Sequence, residues 1–453
     1  MKFAQRIYAL LFVLAIAAFA NRVSAQQPTP STPKLDNLEA QAAAVTELDV
    51  NGLKVIVKRR PAAATVAAGL FIRGGVRNIT DRTAGIENLM LNSAIEAGKK
   101  FPRAAVRREL ARTGSSIGAT AGRDYSVVTL ASTAWNFDRM WEIFADVTMN
   151  PAFDQADVGR IREQILTGVR SREITPDAAL EALEQRVVFA GHPYFNDVSG
   201  TPATLSSFTP EQLRDHHRRV MQTSQLLLVV VGDIDPAALR EQVAKSFGTL
   251  PKGDYKETPM PPIDFSKATL DVVSRPIQTN YVQGHFDAPA LSSPDFYAMR
   301  VAMNILQELV FNEVRVKRQL SYAPNAELNN QAANSASIYV TAVDANRAVS
   351  VMLDQINLIR NNTLKEEAID DLSGQFLTNF YLKQQTNAAQ AGDLARYELL
   401  GGGWRNSFQF LNRIQAVTAE DVRSVANKYM KNIRFVVVGD PKAVDRSIFL
   451  PQQ

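Results

Sequence analysis

Two stretches far apart in this chain read as copies of one another. "FTPEQLRDHHRRVMQTSQLLLVVVGDIDP", from Phe208, aligns with "VTAEDVRSVANKYMKNIRFVVVGDPKA", from Val417. Each begins at a threonine suited to cap a helix (Thr209, Thr418), continues through an amphipathic helical pattern and ends in an apolar run closed by Gly-Asp. The two "VVVGD" runs start at Val229 and Val436. A repeated helix-strand unit means that the chain folds as two like halves, and 453 residues is too long for one ordinary domain.

Between the copies, "PKGDYKETPMPP" at 251–262 carries the proline and polar content of a linker. Other segments alternate as strands do ("GLKVIVKRR", "RDYSVVTLAST", "ASIYVTAV") or repeat as helices do ("DVGRIREQILTGVRSRE", "FYAMRVAMNILQELVFNEV"). Regular βαβ alternation is missing. The predicted class is therefore α+β: two tandem homologous domains, 45–250 and 265–453, joined by a linker at 251–264. Each is expected to be a mainly antiparallel sheet with helices packed on one face.

Residues 1–25 have the layout of a cleavable secretory signal, with Lys2 and Arg6, an apolar run from Ile7 to Ala20 and the small-residue site Val23-Ser24-Ala25. That run is shorter than the roughly 20 residues that span a bilayer, so export to a periplasm is predicted over a stable membrane anchor. Residues 26–44 read as a proline-rich tether. Without Lys2, Arg6 and Arg22, the 50 basic residues fall to 47 against 46 acidic ones, which gives no reason to expect nucleic acid or an anionic membrane as partner. The absence of cysteine excludes disulfides, a thiol-linked lipid anchor and a cysteine nucleophile. There is also no G-x-S-x-G and no glycine-rich nucleotide loop; "GGGW" at 401–404 reads as a loop or helix end.

In "GIENLMLNSAI", residues 85–95, Asn88, Leu91 and Asn92 fall at i, i+3 and i+4 of an expected helix, a common face. This segment, the later "GHPYFNDVSGT", the "VVVGD" strand and the duplication together resemble the insulinase, pitrilysin and mitochondrial processing peptidase family, over nearly the whole chain beyond the signal. Catalytic members carry H-x-x-E-H on this helix, two histidines holding zinc and the glutamate serving as general base. Aligned on Gly85, the three positions are Asn88, Leu91 and Asn92, and the family's later glutamate ligand corresponds to Gly168. Amide, isobutyl and hydrogen are unsuited to zinc or to proton transfer. Glu163 and Glu173 stand five residues from Gly168, about 140° around a helix. Of the four histidines, His216 and His217 are expected at a surface or interface, and His192 and His285 in structural roles. No metal is expected in this chain.

The second half departs differently. "EVRVKRQLSYAPNAEL" resembles the family's pattern of an arginine followed seven residues later by a tyrosine, here Arg315 and Tyr322. The resemblance implies a pair that reaches across a closed chamber to hold substrate backbone and steady an oxyanion. Some family peptidases divide the labour, one chain supplying zinc and the other Arg and Tyr. This chain is accordingly expected to be a non-catalytic, substrate-binding subunit of an exported heteromeric metallopeptidase, paired as a heterodimer with a zinc-bearing H-x-x-E-H homologue. The alternative is a stand-alone peptide-binding or scaffold protein. Peptide would add to a sheet edge, and 122–132, around Tyr125, is either in the place of the family's substrate-binding edge strand or a plain interior strand.

Overall fold

The computed structural model describes residues 41–171, 174–362, 375–382 and 384–450. The expected signal, most of the tether and Glu173 lie outside them. Among the described residues, no helix is long and apolar enough to cross a membrane.

Two sheets carry the fold. The first comprises β1 (Val45–Val50), β2 (Leu53–Arg59), β3 (Thr65–Arg73), β4 (Ser116–Thr120), β5 (Tyr125–Thr133) and β6 (Leu226–Gly232), in the order β1-β2-β6-β3-β5-β4. The second comprises β7 (Thr269–Ser274), β8 (Asn280–Asp287), β9 (Asn325–Leu328), β10 (Ser335–Ala342) and β11 (Arg434–Gly439), in the order β7-β11-β8-β10-β9. In each, one parallel pair (β2 with β6, β7 with β11) sits among antiparallel neighbours. Apart from β1, the two orders are the same path traced twice. β1 is joined to β2 by Asn51-Gly52, both at positive φ (53° and 89°), the geometry that sets a two-residue hairpin turn.

The repeated helices also match. Thr209 accepts from the Gln212 amide and Thr418 from the Asp421 amide, and the side chains of Gln212 and Asp421 return the bond to the threonine N–H groups.

The unbroken "LLLVVV" run of β6 follows from burial on both faces. Leu226, Leu228 and Val230 enter the main core of the first half, where Trp141 and Phe144 lie, while Leu227, Val229 and Val231 face the other way. That second face is covered by the helix Asn387–Leu400 from the other half of the chain, through Ala391, Leu394 and Ala395, together with Trp404 and Phe408. "GGGW" ends this helix, with Gly402 and Gly403 at positive φ and the Trp404 indole donating to Glu47 at 2.7 Å.

Residues 251–265 have no regular secondary structure and lie along the first half. Arg77 donates to Thr258 O, His192 Nε2 to Pro261 O at 2.8 Å, and Ile263 and Phe265 are buried in the first core.

Candidate functional site

The helix Ile86–Ala94 begins at Gly85, whose φ of 86° is in the left-handed region. A Cβ there would stand 2.6 Å from Gly200 Cα, so the glycine lets the 198–201 loop close against the start of the helix. On the adjoining turn, Asn88 and Asn92 face an open cavity of about 380 Å³, lined also by Thr120 at the end of β4, by Ile161, Gln164 and Ile165 of the helix Gln155–Ser171, and by Val198 and Ser199. Asn92 Nδ2 donates to both Asn88 O and Asn88 Oδ1 at 2.9 Å.

Leu91, expected on the same face, is instead 2% exposed and belongs to the hydrophobic core. Gly168 is helical but exposed, with no atom within 4 Å of where its Cβ would be. The helix presents Gln164, one turn earlier, to the cavity. Glu163 is exposed. Among the described residues, no group of three or more His, Asp or Glu side chains is placed to share a metal ion. The donors around Asn88 and Asn92 are amides and hydroxyls, which do not fit zinc.

The surface or interface placement expected for His216 and His217 is corrected by their burial, at 1% and 9% exposure. Their helix, Pro210–Val220, is wedged among neighbours, so side chains about 100° apart both meet protein. His216 Nε2 lies 3.1 Å from Glu87 Oε2, and His217 Nε2 lies 2.7 Å from Thr148 O. His192 accepts the Tyr194 amide N–H through Nδ1 and so caps the turn it precedes. On β8, His285 lies with Nε2 3.4 Å from Glu184 Oε2. Burial pushes the Glu184 carboxyl up, but His285 and Arg123 outweigh it and hold the group below the usual carboxylate range. This contact borders a larger cavity, about 770 Å³, that also reaches Val198 and Ser199.

For 122–132 the interior alternative holds. Residues 125–133 form β5, an interior strand between β3 and β4, and the Tyr125 ring packs edge-on against Phe71 at 5.7 Å. The open edge belongs to β4, whose outer side borders the asparagine cavity.

Arg315 lies in a π-helical turn, Phe311–Lys317, that continues the helix Asp295–Val310. Its guanidinium stacks on the rings of Tyr322 (4.2 Å) and Phe311 (5.0 Å), and Tyr322 is 78% exposed. The wider turn and the following Gln319, at φ 54°, bring residues seven apart into contact. Neither Arg315 nor Tyr322 lines the asparagine cavity. The neighbouring Lys317 and Arg318 both pair with Glu313.

Residues 54–201 match the family model described as insulinase (peptidase family M16), and residues 207–375 match that described as the peptidase M16 inactive domain. The chain belongs to peptidase family M16. Among M16 relatives, an uncharacterized zinc protease of Mycobacterium tuberculosis is 23% identical, over 89% of this chain and 94% of its own length. A protease from Helicobacter pylori has the same fold, with a TM-score of 0.80 at 17% identity, covering 87% of this chain and 99% of the other. The periplasmic protease PqqL from Escherichia coli superimposes with a TM-score of 0.73 at 17% identity, and 90% of this M16 chain covers 50% of PqqL.

Proposed function

We propose that this chain is the non-catalytic, substrate-holding subunit of an exported M16 metallopeptidase, and that it presents Arg315 and Tyr322 to a partner chain carrying H-x-x-E-H and the zinc. The observation that carries this reading is the contrast between the two sites. The metal positions hold Asn88, Leu91, Asn92 and Gly168, whereas Arg315 and Tyr322 are stacked together with the tyrosine open to solvent. A guanidinium and a phenol held by each other need little reordering to meet a substrate carbonyl, and both donate toward developing negative charge.

The partner is supported by size, since PqqL holds about twice the span of this chain in one polypeptide. The periplasm of that neighbour and the signal-like first 25 residues support export. A stand-alone peptide-holding protein is the second reading, favoured by the open edge of β4 beside an amide-lined cavity.

Affinity purification of the tagged chain from its envelope fraction, with mass spectrometry of near-stoichiometric partners, separates the two. An H-x-x-E-H homologue is expected. In the reconstituted pair, Arg315→Ala and Tyr322→Phe should each slow peptide cleavage about 10²-fold or more while leaving assembly intact. Unchanged cleavage would remove the proposed role of the pair. Stoichiometric zinc and cleavage by the lone chain would remove the whole reading.

A further inference from the structure

The degenerate metal site has a definite chemistry of its own. Of the ten residues that line the cavity of about 380 Å³, none is ionisable. Three carboxamides (Asn88, Asn92, Gln164) and the Thr120 hydroxyl stand against aliphatic walls that include Ile161 and Ile165. The Asn92 NH₂ is committed to Asn88, which turns Asn92 Oδ1 free as an acceptor and leaves Asn88 Nδ2 a donor. Among the described residues, neither of these atoms, nor the Gln164 carboxamide, nor the Thr120 hydroxyl, makes a hydrogen bond.

The cavity therefore offers paired donors and acceptors with no charge. A carboxylate or ammonium entering it would meet no counter-ion among the lining residues, and an aliphatic group would make none of the hydrogen bonds the amides offer. A carboxamide, with one acceptor and two donors on a planar end, complements both sides. Ligand pockets range over roughly 300–1,000 Å³, so this one holds about one or two residues rather than a folded segment. β4 supplies part of the wall and is the open edge of its sheet, so an extended chain pairing with it would run past the cavity.

We propose that this cavity takes the side chain of an asparagine or glutamine from an extended peptide laid along β4. The proposal rests on the peptide-holding part of the function above, and is independent of zinc and of the partner. The site that elsewhere in the family holds a metal here selects an uncharged amide.

The test offers the full chain a degenerate library of octapeptides, acetylated and amidated to remove terminal charge, and sequences the retained fraction. Asn or Gln should be enriched several-fold at one position. Replacing that residue by Glu or Lys in a retained peptide should weaken binding at least tenfold, since a site built on hydrogen bonds discriminates strongly against a group that cannot make them. Gln164 is exposed, so Gln164→Lys should fold normally, as its melting curve will verify, and should shift the preference at that position to Asp or Glu. Asn88→Leu with Asn92→Leu should abolish the enrichment. Retention without an amide preference, or an unchanged profile in Gln164→Lys, would overturn the proposal while leaving peptide holding intact. Retention of no peptide would overturn both.

Discussion

Glu87 precedes Asn88 in the chain but has a different task. It is 3% exposed and gathers donors from three elements: the Ser126 hydroxyl of β5, Asn78 Nδ2 at 3.1 Å and His216 Nε2 at 3.1 Å. Arg219 donates to His216 Nδ1, so the imidazole proton sits on Nε2 and points at the carboxylate. Glu87→Ala would leave the buried Ser126 and His216 donors and the half-buried Asn78 unpaired and should cost about 3–5 kcal/mol in urea denaturation, with Glu87→Gln costing less. A loss under about 1 kcal/mol for the alanine variant would contradict this account. The sequence could not reveal the network, because a histidine pair in a polar helix carries no sign of the carboxylate 129 residues away. Lys58 is the opposite case, a cation 4% exposed, whose ammonium meets Gln41 Oε1 (3.3 Å) and the Phe408 ring (5.0 Å). Burial first, and Arg60 second, push it down to about 8, against the partial opposition of Asp393. A depressed folded value means that the stability from this group is fully present above the unfolded value of about 10.4 and is lost as pH falls through 8. Lys58→Met should thus stabilise the fold by about 1–3 kcal/mol at pH 7 and by progressively less toward pH 10, read from paired denaturation curves. An advantage that does not shrink with rising pH would refute the cause assigned.

At the level of elements, the repeat and its strands were legible because burial on both faces writes itself as an unbroken apolar run, and Thr209 and Thr418 announce their helices. The edge strand was not, since "SIGAT" is short and half exposed and its neighbour β5 has the stronger alternating pattern. The face of the helix Ile86–Ala94 was half legible. Asn88 and Asn92 share the cavity as i, i+4 spacing demands, but Leu91 goes where a leucine gains most, into the core. Gly168 shows that the family's alignment and this chain's packing diverge, because nothing packs on it and Gln164 holds the cavity side. With no close contact and an exposed helical setting, Gly168→Ala should stabilise by about 0.5–1 kcal/mol. Gly85→Ala should do the reverse, losing about 1–3 kcal/mol to a left-handed φ and to the approach of Gly200. Thermal unfolding of both variants checks the pair of signs, and a destabilising Gly168→Ala would show that the glycine is retained for a contact.

At the scale of the whole molecule, sequence duplication suggests two domains in tandem, yet the halves share their interiors. The helix Asn387–Leu400, which lies late in the second half, closes the outer face of the first sheet, and Val436 and Val438 of β11 enter the first core. Polar ties repeat the pattern: Tyr194 donates to Asp124 Oδ1 at 2.6 Å and accepts from the Ala333 amide, while Lys54 joins Glu398 at 2.6 Å. Nothing in the local pattern of residues 387–400 says which sheet the helix will cover, since an apolar stripe specifies burial and not the partner. Such sharing makes the second half part of the first half's stability. Leu394, 2% exposed between the helix and β6, is the place to test it. In a Trp135→Phe, Trp404→Phe background, Leu394→Ala should remove about 2–5 kcal/mol and shift one common transition, with Trp141 fluorescence in the first core and far-UV circular dichroism keeping the same midpoint. If the two probes separated, with the Trp141 midpoint left in place, the halves would unfold independently. The helix would then be a cover laid over a finished domain, and opening it would be a route to the sheet beneath.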